Sequence, residues 1–284
     1  MKHFYLIANP LKQGTKEMAK KIADYLGRAG ASCTGSMQTA KKNQAGGGYT
    51  DIQSIPPKTE CVITLGGDGT LIQAARDLVS LQLPLIGINM GTLGYLTQIS
   101  RGEELEPMLD ALLQDKYRLE KRMMLEGMVL GQGMSETGIA LNEIVLTRQD
   151  VMQPLRFQVS VNGQFLNEYA ADGIIVATPT GSTAYNLSAG GPIVTPGAEL
   201  LVLTPICSHA LNSSSIVLSP YDTITIQVHN HTGQKQMAVF DGDQAMNLDG
   251  MQTLRIRRSK SYTTLIQLKN ESFLNSLREK MNRV

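Results

Sequence analysis

The chain has 284 residues, a length that predicts about two domains. Its 26 Lys and Arg residues against 25 Asp and Glu residues give a formal net charge of +1, which excludes a bulk electrostatic attraction to nucleic acid or to an anionic membrane. Hydrophobic residues make up 42% of the chain, enough for a large core, and no apolar run reaches the ~18 residues of a membrane helix. The first residues lack the pattern of a secretory signal, so we expect a cytoplasmic protein that binds neither nucleic acid nor membrane.

The cysteines and histidines do not predict a metal centre. Cys33, Cys61 and Cys207 are far apart and form no Cys-x-x-Cys pair, which disfavours a disulfide framework and a thiolate zinc site. We expect all three in or near the core. His229 and His231 are spaced to share one face of a strand, but a polar strand face accounts for this pair without a metal.

Short apolar runs alternate with longer helical patterns over the first 117 residues. Strands are predicted over 2–9, 61–67 and 83–89, and helices over 16–30, 70–82 and 102–117. The polar, glycine-containing stretch 36–50 is predicted to be a surface loop. Strands that alternate with helices favour a parallel sheet covered by helices, and therefore an α/β domain over residues 1–117.

The pattern changes at about residue 118 to short strands that are broken by Gly, Pro, Asn and Asp. Val161–Gln164 contains Asn-Gly, a strong signal for a two-residue hairpin turn. This half, residues 118–258, predicts an all-β domain of the sandwich type. A short amphipathic helix is predicted over 272–284. The predicted strands are 118–130, 138–148, 155–170, 172–179, 214–220, 223–230, 234–241 and 253–259.

The first motif with chemical meaning is Gly66-Gly67-Asp68-Gly69-Thr70, where a predicted strand runs into a helix. Glycines permit a positive φ and a close approach of the backbone to a ligand, and a helix N-terminus favours a phosphate. The Asp68 carboxylate would repel a phosphate unless Mg²⁺ intervenes or the carboxylate holds a hydroxyl, a combination that phosphoryl transfer requires. The alternative is a helix cap formed by Asp68 or Thr70. Neither the P-loop pattern nor the dinucleotide fingerprint occurs in the chain.

The second motif is Asn142-Glu143, two polar residues inside an apolar strand. A buried, unpaired Glu143 would cost several kcal/mol or would become neutral. The two oxygens of a carboxylate suit the adjacent hydroxyls of a ribose, and the Asn142 amide can bind a further polar group. The alternative is that both side chains face solvent at a strand edge.

The third motif is the run of small polar residues from Ala171 to Pro192, in which Tyr185 is the only aromatic residue. Hydroxyls, free backbone groups and one planar ring suit a nucleobase through edge hydrogen bonds and stacking. An ordinary surface loop has a similar composition, so the residues alone leave both interpretations open.

Together the three segments resemble the NAD kinase family. The stretch TPTGSTAYNLSAGGP at 178–192 carries most of this resemblance, and segments 87–96 and 203–211 support it. The GGDGT turn also occurs in lipid kinases, but there an Asn-Glu-Val-like segment follows it, and here Leu71 and Ile72 follow it. The resemblance spans residues 60–245.

The resemblance implies an α/β domain, a β domain, and a C-terminal segment, residues 259–284, that packs back on the first domain. It implies transfer of the γ-phosphoryl group of ATP, with Mg²⁺, to the 2′-hydroxyl of the adenosine ribose of NAD, in a homodimer or homotetramer with NAD near a subunit interface. Asp68 would be the proton acceptor, within a phosphate loop formed by Gly66, Gly67, Gly69 and Thr70. The implied NAD-binding residues are Asp68, Gly69, Asn142, Glu143, Asp172, Thr183, Ala184, Tyr185, Asn186, Leu187 and Ser188.

Some positions depart from the family pattern. Gln73 replaces a residue that is often basic or a histidine, Ser208 stands where a proline is usual, and Ser214-Ser215 where Arg-Pro is usual. Asp243 occupies the place of the glutamine in the Asp-Gly-Gln turn, so neither Asp243 nor Gln244 is assigned a role. Two other functions stay open from the residues: a lipid or sugar kinase built on the same turn, and a non-catalytic NAD-binding sensor.

Overall fold

The computed structural model describes residues 1–37, 50–91, 94–100, 105–131, 135–149, 153–208, 214–228, 235–248, 252–268 and 272–282. Two compact units divide the chain: residues 1–122 with 261–284, and residues 123–260. Residues 261–284 are thus grouped with the first unit.

The described residues contain seventeen strands and five α-helices. The strands are β1 (His3–Ala8), β2 (Ser32–Met37), β3 (Cys61–Gly66), β4 (Leu85–Asn89), β5 (Ile99–Ser100), β6 (Arg118–Leu130), β7 (Ser135–Ala140), β8 (Glu143–Arg148), β9 (Leu155–Val161), β10 (Gln164–Ala171), β11 (Gly173–Ala177), β12 (Leu201–Ile206), β13 (Ile216–Leu218), β14 (Ile224–Val228), β15 (Gln236–Phe240), β16 (Gln244–Leu248) and β17 (Thr253–Gln267). The helices are α1 (Thr15–Arg28), α2 (Asp68–Asp77), α3 (Leu105–Leu113), α4 (Tyr185–Ser188) and α5 (Phe273–Met281).

The first unit is an α/β structure, as the alternation of strands and helices predicted. Parallel strands lie side by side in the order β2-β1-β3-β4, with the last residues of β17 beside β4. All residues of β3 and β4 are buried, which is typical of parallel strands covered on both faces. The edge strand β2 lies partly where a loop was predicted, and residues 38–49 of that loop fall outside the described residues.

The second unit is a β structure, and its class was predicted correctly. One six-stranded antiparallel sheet has the order β13-β12-β11-β8-β15-β16, and a second group of strands contains β10, β9, β14 and the first part of β17. Side chains of both groups form a single apolar cluster around Phe157 and Phe240. The hairpin turn that joins β9 to β10 has the expected positive φ at Asn162 and Gly163.

The strand predicted over 138–148 is two strands, because the chain crosses between sheets in its middle. β7 pairs with β6, whereas β8 pairs with β11 and β15 in the other sheet, and Leu141 and Asn142 lie between them. β12 and β16 were not predicted at all, although β12 is completely buried.

The prediction for the cysteines was wrong in one case. Cys61 is buried in β3 and Cys33 is half-buried, but Cys207 is exposed because it follows the last residue of β12. Burial raises the pKa of the Cys33 thiol to about 11. Within the described residues, no helix has the length and apolar character that crossing a bilayer requires.

Candidate active site

The parallel sheet of the α/β unit has a topological switch point at the carboxyl ends of β1 and β3. The chain runs from β1 to β2 on one side and from β3 to β4 on the other, so the connections diverge between the neighbouring strands β1 and β3. Open α/β sheets bind ligands at such a topological switch point. Asn9 follows β1 and Gly67 follows β3, which places the predicted phosphate loop at this position.

The N-terminus of α2 lies directly after β3, with Gly67 as the N-cap residue and no side-chain cap. The N–H of Thr70 donates to the carbonyl of the N-cap residue Gly67 at 3.0 Å. The N–H groups at a helix N-terminus in general suit an anion. Thr70 is buried, and its hydroxyl accepts a hydrogen bond of 3.2 Å from the side-chain amide of Asn9. This contact fixes the first turn of α2 against the end of β1.

The Asp68 carboxylate does not cap α2; it binds the backbone of the segment before β5. Its Oδ2 atom accepts from the N–H of Tyr95 at 2.5 Å. Its Oδ1 atom accepts from the N–H groups of Leu96 and Thr97, at 3.2 and 3.1 Å, and from the Thr97 hydroxyl at 3.1 Å. Asp68 therefore does not have the helix-cap role of the predicted alternative. Its oxygens face the segment that connects β4 to β5.

The turn needs glycine for a reason other than the predicted positive φ. Gly67 has φ −113°, and neither it nor Gly69 adopts the positive φ that the sequence suggested. Gly66 must be glycine because a Cβ there would lie 2.1 Å from the Thr70 hydroxyl. Among the described residues, nothing lies within 4 Å of a Cβ added at Gly67 or Gly69, so the space beside these two glycines is open.

In the β unit, Asn142 and Glu143 are buried, with 8% and 5% of their surfaces exposed. This excludes the alternative in which both face solvent. Neither the Oδ1 atom of Asn142 nor the Oε2 atom of Glu143 has a hydrogen-bond partner among the described residues. Burial, together with the negative charge of Asp241, raises the pKa of the Glu143 carboxyl to about 8. Buried side-chain oxygens without partners on two consecutive residues suit a ligand that carries hydrogen-bond donors.

The structure brings the second and third motifs together. The N–H of Thr178 donates to the carbonyl of Asn142 at 2.8 Å, and the Thr178 hydroxyl donates to the carbonyl of Leu141 at 2.7 Å. A Cβ at Gly181 would lie 2.2 Å from the Asn142 carbonyl oxygen, so this close approach requires glycine. The loop that follows β11 is thus packed directly on the Asn142-Glu143 turn.

The loop residues 183–188 divide into exposed and buried positions. Tyr185 is 45% exposed, Leu187 is 39% exposed, and Thr183 and Ala184 are half-buried. Asn186 is completely buried, and its amide donates to the carbonyls of Ser182 and Pro192 and accepts from Thr204. Its contacts within the protein give Asn186 a role in holding the loop.

Asp172 lies at the opposite end of β8 and β11 from Glu143. Glu143 pairs with Ala177, and Gly173 pairs with Thr147, so about 17 Å of strand separates Asp172 from the position beside Glu143. Its carboxylate forms an ion pair of 3.1 Å with Arg148. The structure does not bring Asp172 together with the Asn142-Glu143 pair within one chain.

Three polar residues beside the predicted site residues were not found from the sequence. Asn9 binds Thr70, Thr97 binds Asp68, and Asp241 accepts from three N–H groups of residues 141–143. The Asn-Pro after β1 and the Asp-Gly after β15 were visible signals of chain turns at strand ends, but contact with the site depends on strand order.

A helix N-terminus suited to phosphate, and a buried acceptor pair suited to a diol, are features of nucleotide-binding proteins. Family models agree with this class. The ATP-NAD kinase N-terminal domain matches residues 4–117, and the ATP-NAD kinase C-terminal domain matches residues 141–268. The chain belongs to the ATP-NAD kinase family and is an enzyme of that family.

Relatives match along the whole chain. An NAD kinase of Lachnospira eligens is 40% identical over 99% of this chain and 100% of its own length. An NAD kinase of Agathobacter rectalis is 42% identical over 99% of each chain. Both cover the α/β and the β unit.

Solved structures show the same fold. A crystal structure of yeast NADH kinase complexed with NADH has a TM-score of 0.86 at 23% identity, over 99% of this chain and 88% of that chain. An NAD kinase from Archaeoglobus fulgidus in complex with ATP has a TM-score of 0.76 at 24% identity, over 99% of both chains. These neighbours confirm the α/β and β architecture.

Proposed function

We propose that this chain transfers the γ-phosphoryl group of ATP to the 2′-hydroxyl of the adenosine ribose of NAD, which gives NADP and ADP. The observation that carries the proposal is that buried side-chain oxygens of Asn142 and Glu143 have no hydrogen-bond partner in the part of the chain that the structure describes. A ribose diol or an adenine amine supplies the donors that these oxygens lack. The relatives named NAD kinase support the same substrates.

Asp68 is proposed as the group that orients the acceptor hydroxyl and takes its proton. The carboxylate sits at the N-terminus of α2, a position that favours phosphate oxygens. Phosphoryl transfer needs little covalent help from the protein, so positioning of hydroxyl and phosphate contributes most of the rate. Open space at Gly67 and Gly69 allows the phosphates to approach the backbone.

The adenosine end is proposed to lie against Asn142, Glu143 and the loop 183–188. Glu143 accepts from the ribose hydroxyls, and the exposed ring of Tyr185 offers a surface for stacking on the adenine. Thr183, Ala184, Leu187 and Ser188 complete the proposed wall. Asn186 contributes through the loop that it holds, and Asp172 is a proposed contact of the dinucleotide.

A magnesium ion would arrive with ATP and would be held by the phosphates of ATP. Among the described residues, no group of three or more His, Cys, Asp or Glu side chains could hold a metal ion alone. Mg²⁺ commonly keeps several waters and binds substrate phosphates, so the ion would need no protein cage of its own. When bound, the ion supplies positive charge for the transferred phosphoryl group. We also propose a cytoplasmic homodimer or homotetramer with NAD near a subunit interface.

The test is turnover of NAD with ATP and Mg²⁺, followed by ADP release and by the phosphorus spectrum of the product. We expect one ADP for each NADP formed, with the new phosphate on the 2′-oxygen. Parallel reactions with diacylglycerol and with glucose test the lipid and sugar kinase alternatives. NAD binding without ADP release would favour the sensor instead. Polyphosphate in place of ATP identifies the donor.

A further inference from the structure

The chain crosses from one sheet to the other at Leu141 and Asn142, and this crossing leaves backbone groups without strand partners. β7 ends at Ala140 and β8 begins at Glu143, so the N–H groups of Leu141 and Asn142 lie between the two ladders, and that of Glu143 lies at the start of β8. Buried N–H groups without an acceptor cost about 1–3 kcal/mol each. Another part of the protein must therefore supply acceptors.

Asp241 supplies all of them. Its Oδ2 atom accepts from the N–H of Leu141 at 2.9 Å, and its Oδ1 atom accepts from those of Asn142 and Glu143, at 2.7 and 3.2 Å. The backbone N–H of Asp241 donates in turn to the carbonyl of Glu143 at 3.0 Å. The residue follows the last residue of β15, which pairs with β8, and adopts a left-handed φ of 49°.

This arrangement has a cost for Glu143. Burial of the carboxyl, with the negative charge of Asp241 as the smaller second cause, raises the pKa of Glu143 to about 8. Among the described residues, Asp241 is the charged group that acts on Glu143. Near neutral pH, Glu143 is therefore mostly protonated while its site is empty.

We propose that Asp241 is a positioning residue for the nucleotide, and that the Asp241–Glu143 pair makes NAD binding release a proton. Asp241 holds the turn so that Asn142 and Glu143 present their oxygens to the ligand. Ribose hydroxyls donate to both Glu143 oxygens only if the carboxyl is ionised, so binding expels the carboxyl proton to the buffer. This inference rests on the proposed function for the identity of the ligand.

The test is calorimetry of NAD binding at pH 6.5 in buffers with different ionisation enthalpies. For the unchanged protein we expect release of about one proton per NAD bound, and a dissociation constant that rises about tenfold per unit as the pH falls below 8. Glu143→Gln should release none. Asp241→Asn removes the charge and at least one accepted bond, so it should release fewer protons, with the pH dependence shifted to lower pH. A matched control is Asp222→Asn, which removes a carboxylate that binds the N–H of Ser219 in a surface turn.

Each result decides the inference. If Asp241 were only structural, Asp241→Asn would lower the melting temperature but leave proton release and its pH dependence unchanged, and this outcome would overturn the proposal. NAD binding without proton release in the unchanged protein would also overturn it while leaving the proposed function intact. Absence of NAD binding would instead reject the proposed function. If Asp241→Asn did not fold, carbon-13 titration of Glu143 in the free, unchanged protein would still decide, since a midpoint near the ordinary value contradicts the proposal.

Discussion

Asp68 accepts four hydrogen bonds from the segment 95–97 and is also the proposed proton acceptor. The two roles are compatible because the Oδ2 atom accepts only one of these bonds, from the N–H of Tyr95, and keeps a lone pair for the substrate hydroxyl. An Asp68→Asn variant keeps one acceptor oxygen and loses the base. We expect turnover to fall about 10²-fold or more, with a smaller change in NAD affinity. Steady-state kinetics and calorimetry on the same preparation measure both.

Thr97→Val is the matched control, because it removes only the hydroxyl that donates to Asp68 and keeps the shape of the side chain. We expect a stability loss of about 1 kcal/mol and retention of most of the turnover. Equal losses of turnover in the two variants would assign Asp68 to holding the segment and not to the chemical step.

Glu143→Gln tests which part of the dinucleotide meets the buried pair. The charge-assisted bonds from the ribose hydroxyls are worth about 1.5–3 kcal/mol, so binding of NAD and of AMP should weaken together. Binding of nicotinamide mononucleotide should hardly change. Equal weakening of AMP and nicotinamide mononucleotide, measured by calorimetry, would place Glu143 elsewhere in the site.

Tyr185 is 45% exposed, so it has free ring surface for a base. Stacking of an aromatic ring on a base is worth about 1–3 kcal/mol, and Tyr185→Ala should raise the NAD dissociation constant about five- to a hundred-fold. Tyr185→Phe should recover most of this loss. Tyr221, which is 81% exposed, provides the control Tyr221→Ala, with unchanged affinity expected. Unchanged NAD affinity in Tyr185→Ala, with a lowered melting temperature, would contradict stacking.

At the scale of elements, the connection from β4 to β5 fits closely against the start of α2. A Cβ at Gly94 would lie 1.8 Å from the Asp68 Oδ1 atom, so Gly94→Ala must displace the carboxylate or the segment. We expect a loss of turnover comparable to that of Asp68→Asn, because misplacement of a reacting group by about 1 Å costs about 10²-fold.

Gly91→Ala belongs to the same connection and is the control. A Cβ at Gly91 would lie 3.7 Å from the Nζ atom of Lys12 and 3.9 Å from the Oδ1 atom of Asn89. Both distances are ordinary van der Waals contacts. Kinetics and melting curves should show nearly unchanged behaviour for Gly91→Ala. Full activity in Gly94→Ala would mean that the Asp68 carboxylate is not held as the structure describes.

The elements that the sequence predicted well are those with a local signal. The buried run of β3 and the Asn-Gly of the β9–β10 turn depend on neighbours in the chain. The break of the strand at Leu141 and Asn142 has no such signal, because it depends on which sheet each half joins. Burial of Glu143 was recognised as a cost, but its neighbour Asp241 is 98 residues away and is placed by the pairing of β15 with β8.

At the scale of the molecule, each unit has its own apolar core. One cluster contains Phe4, Ile63 and Ile266 of the first unit, and the other contains Phe157 and Phe240 of the second. The change in strand pattern near residue 118 predicted two such regions. Contacts between distant segments, such as Ile266 with the first core, follow from the complete topology and could come only from the family resemblance.

The stability of the ligand-free protein should depend on pH through Glu143. Its folded-state pKa, about 8, lies above the ordinary value of 4.5, so the folded protein binds more protons than the unfolded chain between these values. The contribution of Glu143 is complete below the unfolded pKa and is lost as the pH rises through the folded pKa. The free energy of unfolding should therefore fall by up to about 1.4 kcal/mol per pH unit in this window.

Denaturant unfolding of the unchanged protein and of Glu143→Gln, at pH values from about 5 to about 8, isolates this slope as their difference. Parallel curves for the two proteins would mean that Glu143 is ionised at neutral pH, whereas saturating NAD should remove the slope because the bound carboxylate no longer holds the proton.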